Sequence, residues 1–95
     1  MDIAQRIAQF ENMVQADPTN DMAHYSLGNA YSQAGRHRDA AESYVRCYRI
    51  NKDMSKAYQL AGAEFIACND KPLATEVLKE GYTVASQRGD FMPKK

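Results

Sequence analysis

"HYSLGNAYSQAG", residues 24–35, is the stretch on which the fold turns. Leu27, Ala30, Tyr31 and Ala34 recur at helical spacing. Gly28 nevertheless sits inside the run, where glycine costs about 1 kcal/mol relative to alanine. A helix that keeps a glycine there needs it for packing, so the surrounding sequence should show what packs against it.

Working outward, the punctuation marks five helices. Asp2 is a candidate N-cap with Gln5 three positions on, the capping-box pattern. Ile3, Ile7, Phe10 and Val14 then form one stripe, and "DPTN" at 17–20 ends it. A second helix is expected over about 21–34, closed by Gly35, and a third over 37–50. The fourth runs over about 55–68 and closes at Asn69. The fifth starts near Pro72, with Asp70 or Lys71 as cap, and lasts to about 86. Valine and isoleucine are sparse and no stretch alternates, so the chain is expected to be all-α.

The helices repeat. A shift of 34 residues carries Gly28 to Gly62, Tyr31 to Phe65, Ala40 to Ala74, Tyr44 to Leu78 and His24 to Tyr58. It also carries Gly35 to Asn69, the two residue types best suited to a left-handed helix stop. Each match preserves a physical role.

This unit resembles the tetratricopeptide repeat, W-x2-L-G-x2-Y, A-x3-F, P. One unit reads His24-x2-Leu27-Gly28-x2-Tyr31 and Ala40-x3-Tyr44; the next reads Tyr58-x2-Ala61-Gly62-x2-Phe65 and Ala74-x3-Leu78. Phe10, Met13 and Pro18 fall where the end of an earlier unit would lie. The departures are His24 at the aromatic position, Lys52 and Ser86 at the closing proline, and Arg6 at a small-residue position. The resemblance implies a right-handed superhelical stack of antiparallel helix pairs in a single domain. Residues 2–16 would be a half-repeat helix, 21–54 and 55–88 two full repeats, and 89–95 a tail that could open a truncated helix. In that geometry a side chain at Gly28 or Gly62 would collide with the facing helix. Ala40 and Ala74 would keep that helix slim, and Tyr31, Tyr44, Phe65 and Leu78 would fill the space around the contact.

The same resemblance implies a function: a non-catalytic scaffold that holds an extended peptide of another protein in a groove. The strip that lines such grooves maps to Met22, Tyr25, Asn29, Ser32 and Gln33 in the first full unit, and to Lys56, Gln59, Ala63, Ile66 and Ala67 in the second. Tyr25 offers a flat surface with a polar tip. Asn29 and Gln59 can donate to and accept from a peptide backbone, and Lys56 adds a positive charge beside an apolar hollow. A ligand with a small apolar anchor and an acidic group would suit it. The family's carboxylate clamp is not expected, because Tyr25 stands where it would want a lysine. The competing expectation is self-assembly, a homodimer or array joined through uncapped ends exposing Ile66, Val77, Tyr82 or Val84.

Other classes find little support. Twelve basic residues balance twelve acidic ones among 95 residues, so no overall field favours nucleic acid or an anionic membrane. Arg36, His37, Arg38, Arg46, Arg49 and Lys52 are interrupted by Asp39 and Glu42 and read as a solvated face. No apolar run approaches the roughly 20 residues that cross a bilayer, and the amino terminus lacks a signal-peptide pattern. A cytoplasmic, bacterial location is the expectation. Neither His24 nor His37 has a metal-type partner at helical spacing, and no phosphate loop or nucleophile motif occurs. No catalytic residue, metal or cofactor is therefore expected. Cys47 reads as a buried thiol and Cys68 as a more accessible one.

Overall fold

The computed structural model describes residues 2–88, and the expected tail at 89–95 lies outside them. Five helices follow one another: α1 (Ile3–Ala16), α2 (Asp21–Gln33), α3 (His37–Ile50), α4 (Ser55–Ala67) and α5 (Lys71–Arg88). Each packs on its neighbours in chain order, and the result is elongated, 48 × 29 × 19 Å. The last helix begins one residue before Pro72 and runs two residues past the expected end.

The helix boundaries rest on local chemistry that recurs at the 34-residue period. The Asp2–Gln5 capping box forms with both of its bonds. Asn20 accepts from the Ala23 amide, and Asp70 accepts from the Leu73 amide at 3.2 Å, which settles the cap of α5. Gly35 (φ 77°) and Asn69 (φ 64°) both adopt the left-handed conformation. The next amide then reaches back to close the helix: Arg36 N–H to Tyr31 O at 2.9 Å, Asp70 N–H to Phe65 O at 2.8 Å. These are the six-to-one bonds of a Schellman stop.

A second recurring tie uses two of the departures from the repeat pattern, His24 and Lys52. His24 Nε2 lies 2.9 Å from Pro18 O, a bond that places the ring proton on Nε2. One period later Tyr58 OH donates to Lys52 O at 3.3 Å. An aromatic ring with a polar edge thus pins the carbonyl of the residue that closes the preceding unit. The contact needs that carbonyl, not a proline ring, so lysine serves at 52.

The core is built at the crossings. Ala40, Ala41, Cys47, Ala57 and Ala61 have no exposed surface, and Tyr44, Tyr48 and Tyr58 are 2% exposed. Tyr48 and Tyr58 stack at 3.9 Å between centroids, joining the two units. Cys47 is buried, as expected, and burial pushes its thiol up to about 11.

Gly28 and Gly62 pack closely against side chains of the facing helix. A methyl group on Gly28 would lie 2.7 Å from Tyr44 Cε1; one on Gly62 would lie 2.5 Å from Leu78 Cδ2. Leu78 covers Gly62 without being core itself, since it is 41% exposed. Gly81 makes a third close approach that the sequence pattern did not mark, its absent methyl falling 2.6 Å from Tyr58 Cβ. There the obstructing atom is a Cβ, fixed to the α4 backbone. Val77, expected at an uncapped end, is instead buried at 5% exposure.

Candidate protein-binding face

The expected strip lies on the first helix of each pair, α2 and α4, where a period of 3.6 sets residues three and four apart on one face. Met22, Asn29, Gln33, Lys56, Gln59, Ala63, Ile66 and Ala67 are exposed; Tyr25 and Ser32 are half-buried. Met22 and Ile66 are more than half exposed, at 54% and 53%.

The core orients part of this strip. The Tyr25 ring meets the Tyr44 ring edge-on, with centroids 5.8 Å apart. Buried Tyr44 then donates its hydroxyl to Asn29 Oδ1 at 2.5 Å. That bond fixes the Asn29 carboxamide and leaves its NH2 to donate outward. Gln33 is held similarly, its Oε1 accepting from Arg6 Nη1 at 2.8 Å. A recess of about 110 Å³ lies beside them, lined by Arg6, Phe10, Ser26, Asn29, Ala30 and Gln33.

Ser32 is turned toward the next unit, donating to Glu64 Oε2 at 2.7 Å. The other oxygen, Glu64 Oε1, lies 2.6 Å from His37 Nδ1. Glu64 is thus a buried carboxylate (8% exposed) that ties α2, α3 and α4 together. The pattern held one signal for it: the 34-residue shift aligns Glu64 with Ala30, a charge where the other unit keeps a small residue.

Larger recesses lie away from the strip, between successive second helices. One of about 420 Å³ separates α1 from α3, and its repeat counterpart of about 280 Å³ separates α3 from α5. The period converts Glu11, Asp39 and Ser43 of the first into Val45, Leu73 and Val77 of the second. The first part of the basic run makes ties: Arg36 pairs with Asp39 at 2.8 Å and lies over the Tyr31 ring, and Arg38 reaches Asp70 at 2.9 Å. The Arg38 guanidinium, with the Leu73 amide, holds the Asp70 carboxyl below its ordinary range.

Among the described residues no group of three or more His, Cys, Asp or Glu could hold a metal ion. No described helix is long and apolar enough to cross a membrane.

The recurring helix pairs, glycine contacts and left-handed stops define a helical-repeat protein of the tetratricopeptide type, a class whose stacked units present extended binding surfaces. The fold is shared with MamA, whose crystal structure superimposes with a TM-score of 0.79 at 20% identity, over 94% of this chain and 49% of that one. The chain therefore spans about half of MamA. A TPR repeat-containing protein of Pseudomonas aeruginosa, PA0015, is 28% identical over 94% of this chain and 85% of its own length. The family model described as bacterial transcriptional activator domain matches residues 2–54, more than half of the chain. The chain belongs to that family. The matched span covers α1, α2 and α3.

Proposed function

We propose that this protein is a non-catalytic scaffold that holds an extended segment of another protein along the α2–α4 strip. The single observation that carries this reading is Asn29: a buried tyrosine hydroxyl fixes its carboxamide while the residue stays exposed. A hydrogen-bonding group held rigidly at the surface loses little freedom when a peptide backbone meets it. Tyr25 supplies a flat contact beside it, Lys56 favours an acidic group on the ligand, and Ala63, Ile66 and Ala67 accept a small apolar side chain.

The test is capture of binding partners by the chain and by a Tyr25→Ala, Asn29→Ala double variant. Partners should be lost from the double variant while its helix content and melting temperature stay near the parent's. Undiminished capture would remove the strip from the account.

Self-assembly is the second reading, and the two ends differ in what they offer it. On α1 the exposed Gln5, Gln9 and Asn12 are polar and Met13 is 39% exposed, whereas α5 exposes more apolar surface, with Leu78 at 41% and Tyr82 at 64%. Association between copies would therefore run through α5. Light scattering over a concentration series reads it directly, and a constant monomer mass would exclude it.

A further inference from the structure

The recess of about 420 Å³ between α1 and α3 holds polar groups that the packing of the helices does not use. Ser43 lies on its wall at 1% exposure, and among the described residues its Oγ has no hydrogen-bond partner. A buried hydroxyl left unpaired is costly. One period later the same place is held by Val77, 5% exposed, an apolar side chain that carries no such cost. Packing alone therefore gives no reason for a serine at 43.

Three carboxylates share the recess with that hydroxyl: Glu11 from α1, and Asp39 and Glu42 from α3. Glu11 accepts from the Tyr31 hydroxyl through Oε2, and Asp39 accepts from Arg36 through Oδ2. Glu42 is exposed and makes no ion pair among the described residues. Each carboxylate thus keeps at least one oxygen free to accept. Arg46 on the wall and Arg36 at Asp39 offset part of the charge, and the balance stays negative. Tyr31 registers it from the same recess: burial first, and the Glu11 carboxylate next, push its hydroxyl up to about 12.

These carboxylates do not form a group that could hold a metal ion. The cation that suits them is organic. An ammonium group has three donors and can reach acceptors that stand apart, while Val14 and Leu27 offer an apolar bed for the chain that carries it. The volume falls in the range of small-molecule sites, roughly 300–1,000 Å³. The counterpart recess between α3 and α5 has Val45, Leu73 and Val77 where this one has Glu11, Asp39 and Ser43.

We propose that the α1–α3 recess is a binding site for a small primary amine with an apolar stem. The ammonium donates to Glu11, Glu42 and Ser43, whose hydroxyl turns to it by rotation about Cα–Cβ. Asp39, held by Arg36, adds its charge, and the stem lies on Val14 and Leu27. The site is on the second helix of each pair, apart from the α2–α4 strip, and does not depend on it.

The probe is n-hexylamine, titrated into the full chain and followed by nuclear magnetic resonance, with n-hexanol as its neutral counterpart. Saturable shifts are expected at Glu11, Leu27 and Ser43, with n-hexanol about tenfold weaker or worse. Added salt should weaken the amine and leave the alcohol unchanged. Glu42→Gln changes an exposed residue, so it should keep the parent's helix content while weakening the amine about tenfold. Ser43→Val should weaken the amine and raise the melting temperature, because it removes the unpaired hydroxyl. The Tyr25→Ala, Asn29→Ala variant should bind the amine as the parent does, which separates this site from the strip. The proposal is overturned if n-hexanol binds as well as n-hexylamine, or if the shifts fall on the strip or the α3–α5 recess. It is also overturned if Ser43→Val and Glu42→Gln leave the affinity unchanged. A lysine-containing peptide that binds the recess where n-hexylamine does not would overturn it too, by assigning the site to a protein segment.

Discussion

Tyr48 and Tyr82 occupy the same place in successive units, yet one is 2% exposed and the other 64%. Tyr48 stacks on Tyr58 and donates to Glu80 Oε1 at 3.2 Å, so it joins the first full unit to both helices of the second. Among the described residues, Tyr48 lies against both α4 and α5, whereas Tyr82 is largely uncovered. In a stack where each unit touches only its neighbours, a residue's energetic weight is set by its place in the array as much as by its type.

The contrast predicts unequal costs for the same substitution. Tyr48→Ala removes a fully packed ring and should cost about 3–5 kcal/mol of unfolding free energy. Tyr82→Ala should change stability by about 0.5 kcal/mol or less, as exposed positions do. Urea denaturation of both variants makes the comparison, and equal losses would show that the end is covered as well as the middle.

Titration sharpens the same contrast. Burial, with help from Glu11 at its hydroxyl, pushes Tyr31 up to about 12, and burial raises Tyr44, Tyr48 and Tyr58 as well. A phenol is neutral when protonated, so the folded state holds these protons more tightly than the unfolded chain does. Their contribution is complete below the ordinary tyrosine value near 10 and is lost as pH rises through the folded values. Cys47 adds a loss of the same sign beginning near the ordinary thiol range. Stability measured from pH 8 upward should hold and then fall from about pH 9–10, and the fall should be smaller in Tyr48→Phe. A flat profile would mean that the phenols are not packed as described.

Much of the architecture was legible in the sequence, because each unit repeats the same solutions. Gly35 and Asn69 announced their left-handed stops, and Asp2 with Gln5 its capping box. His24 and Tyr58 read correctly as ring positions. Their shared bond to a carbonyl six residues earlier was not readable, since it depends on where the loop places Pro18 and Lys52. Val77 and Leu78 show the limit more sharply. Adjacent apolar residues on one helix differ only in which side meets α3, and a period alone assigns Leu78 to the core because its counterpart Tyr44 is there. The period gives the register of a residue on its helix, and burial depends besides on which neighbouring helix that face meets.

The strip was legible as a list of accessible positions, and the structure places every one of them at or near the surface. Its order was not legible. The Tyr44–Asn29 bond that rigidifies one end, and the Glu64 link that draws Ser32 away from it, both join different helices. Spacing within a helix carries no information about either.

The most direct test of the packing claim compares Gly28→Ala with Gly62→Ala by thermal and urea denaturation. At position 28 the added methyl meets the ring of Tyr44, which is 2% exposed and has nowhere to move. Overpacking should then outweigh the gain in helix propensity, for a net loss of about 1–2 kcal/mol. At position 62 the obstacle is Leu78, whose Cδ2 and Cγ would lie 2.5 and 2.6 Å from the added methyl. At 41% exposure it has more room to shift than Tyr44, so Gly62→Ala should lose less stability than Gly28→Ala. A Gly28→Ala chain as stable as the parent would contradict the account.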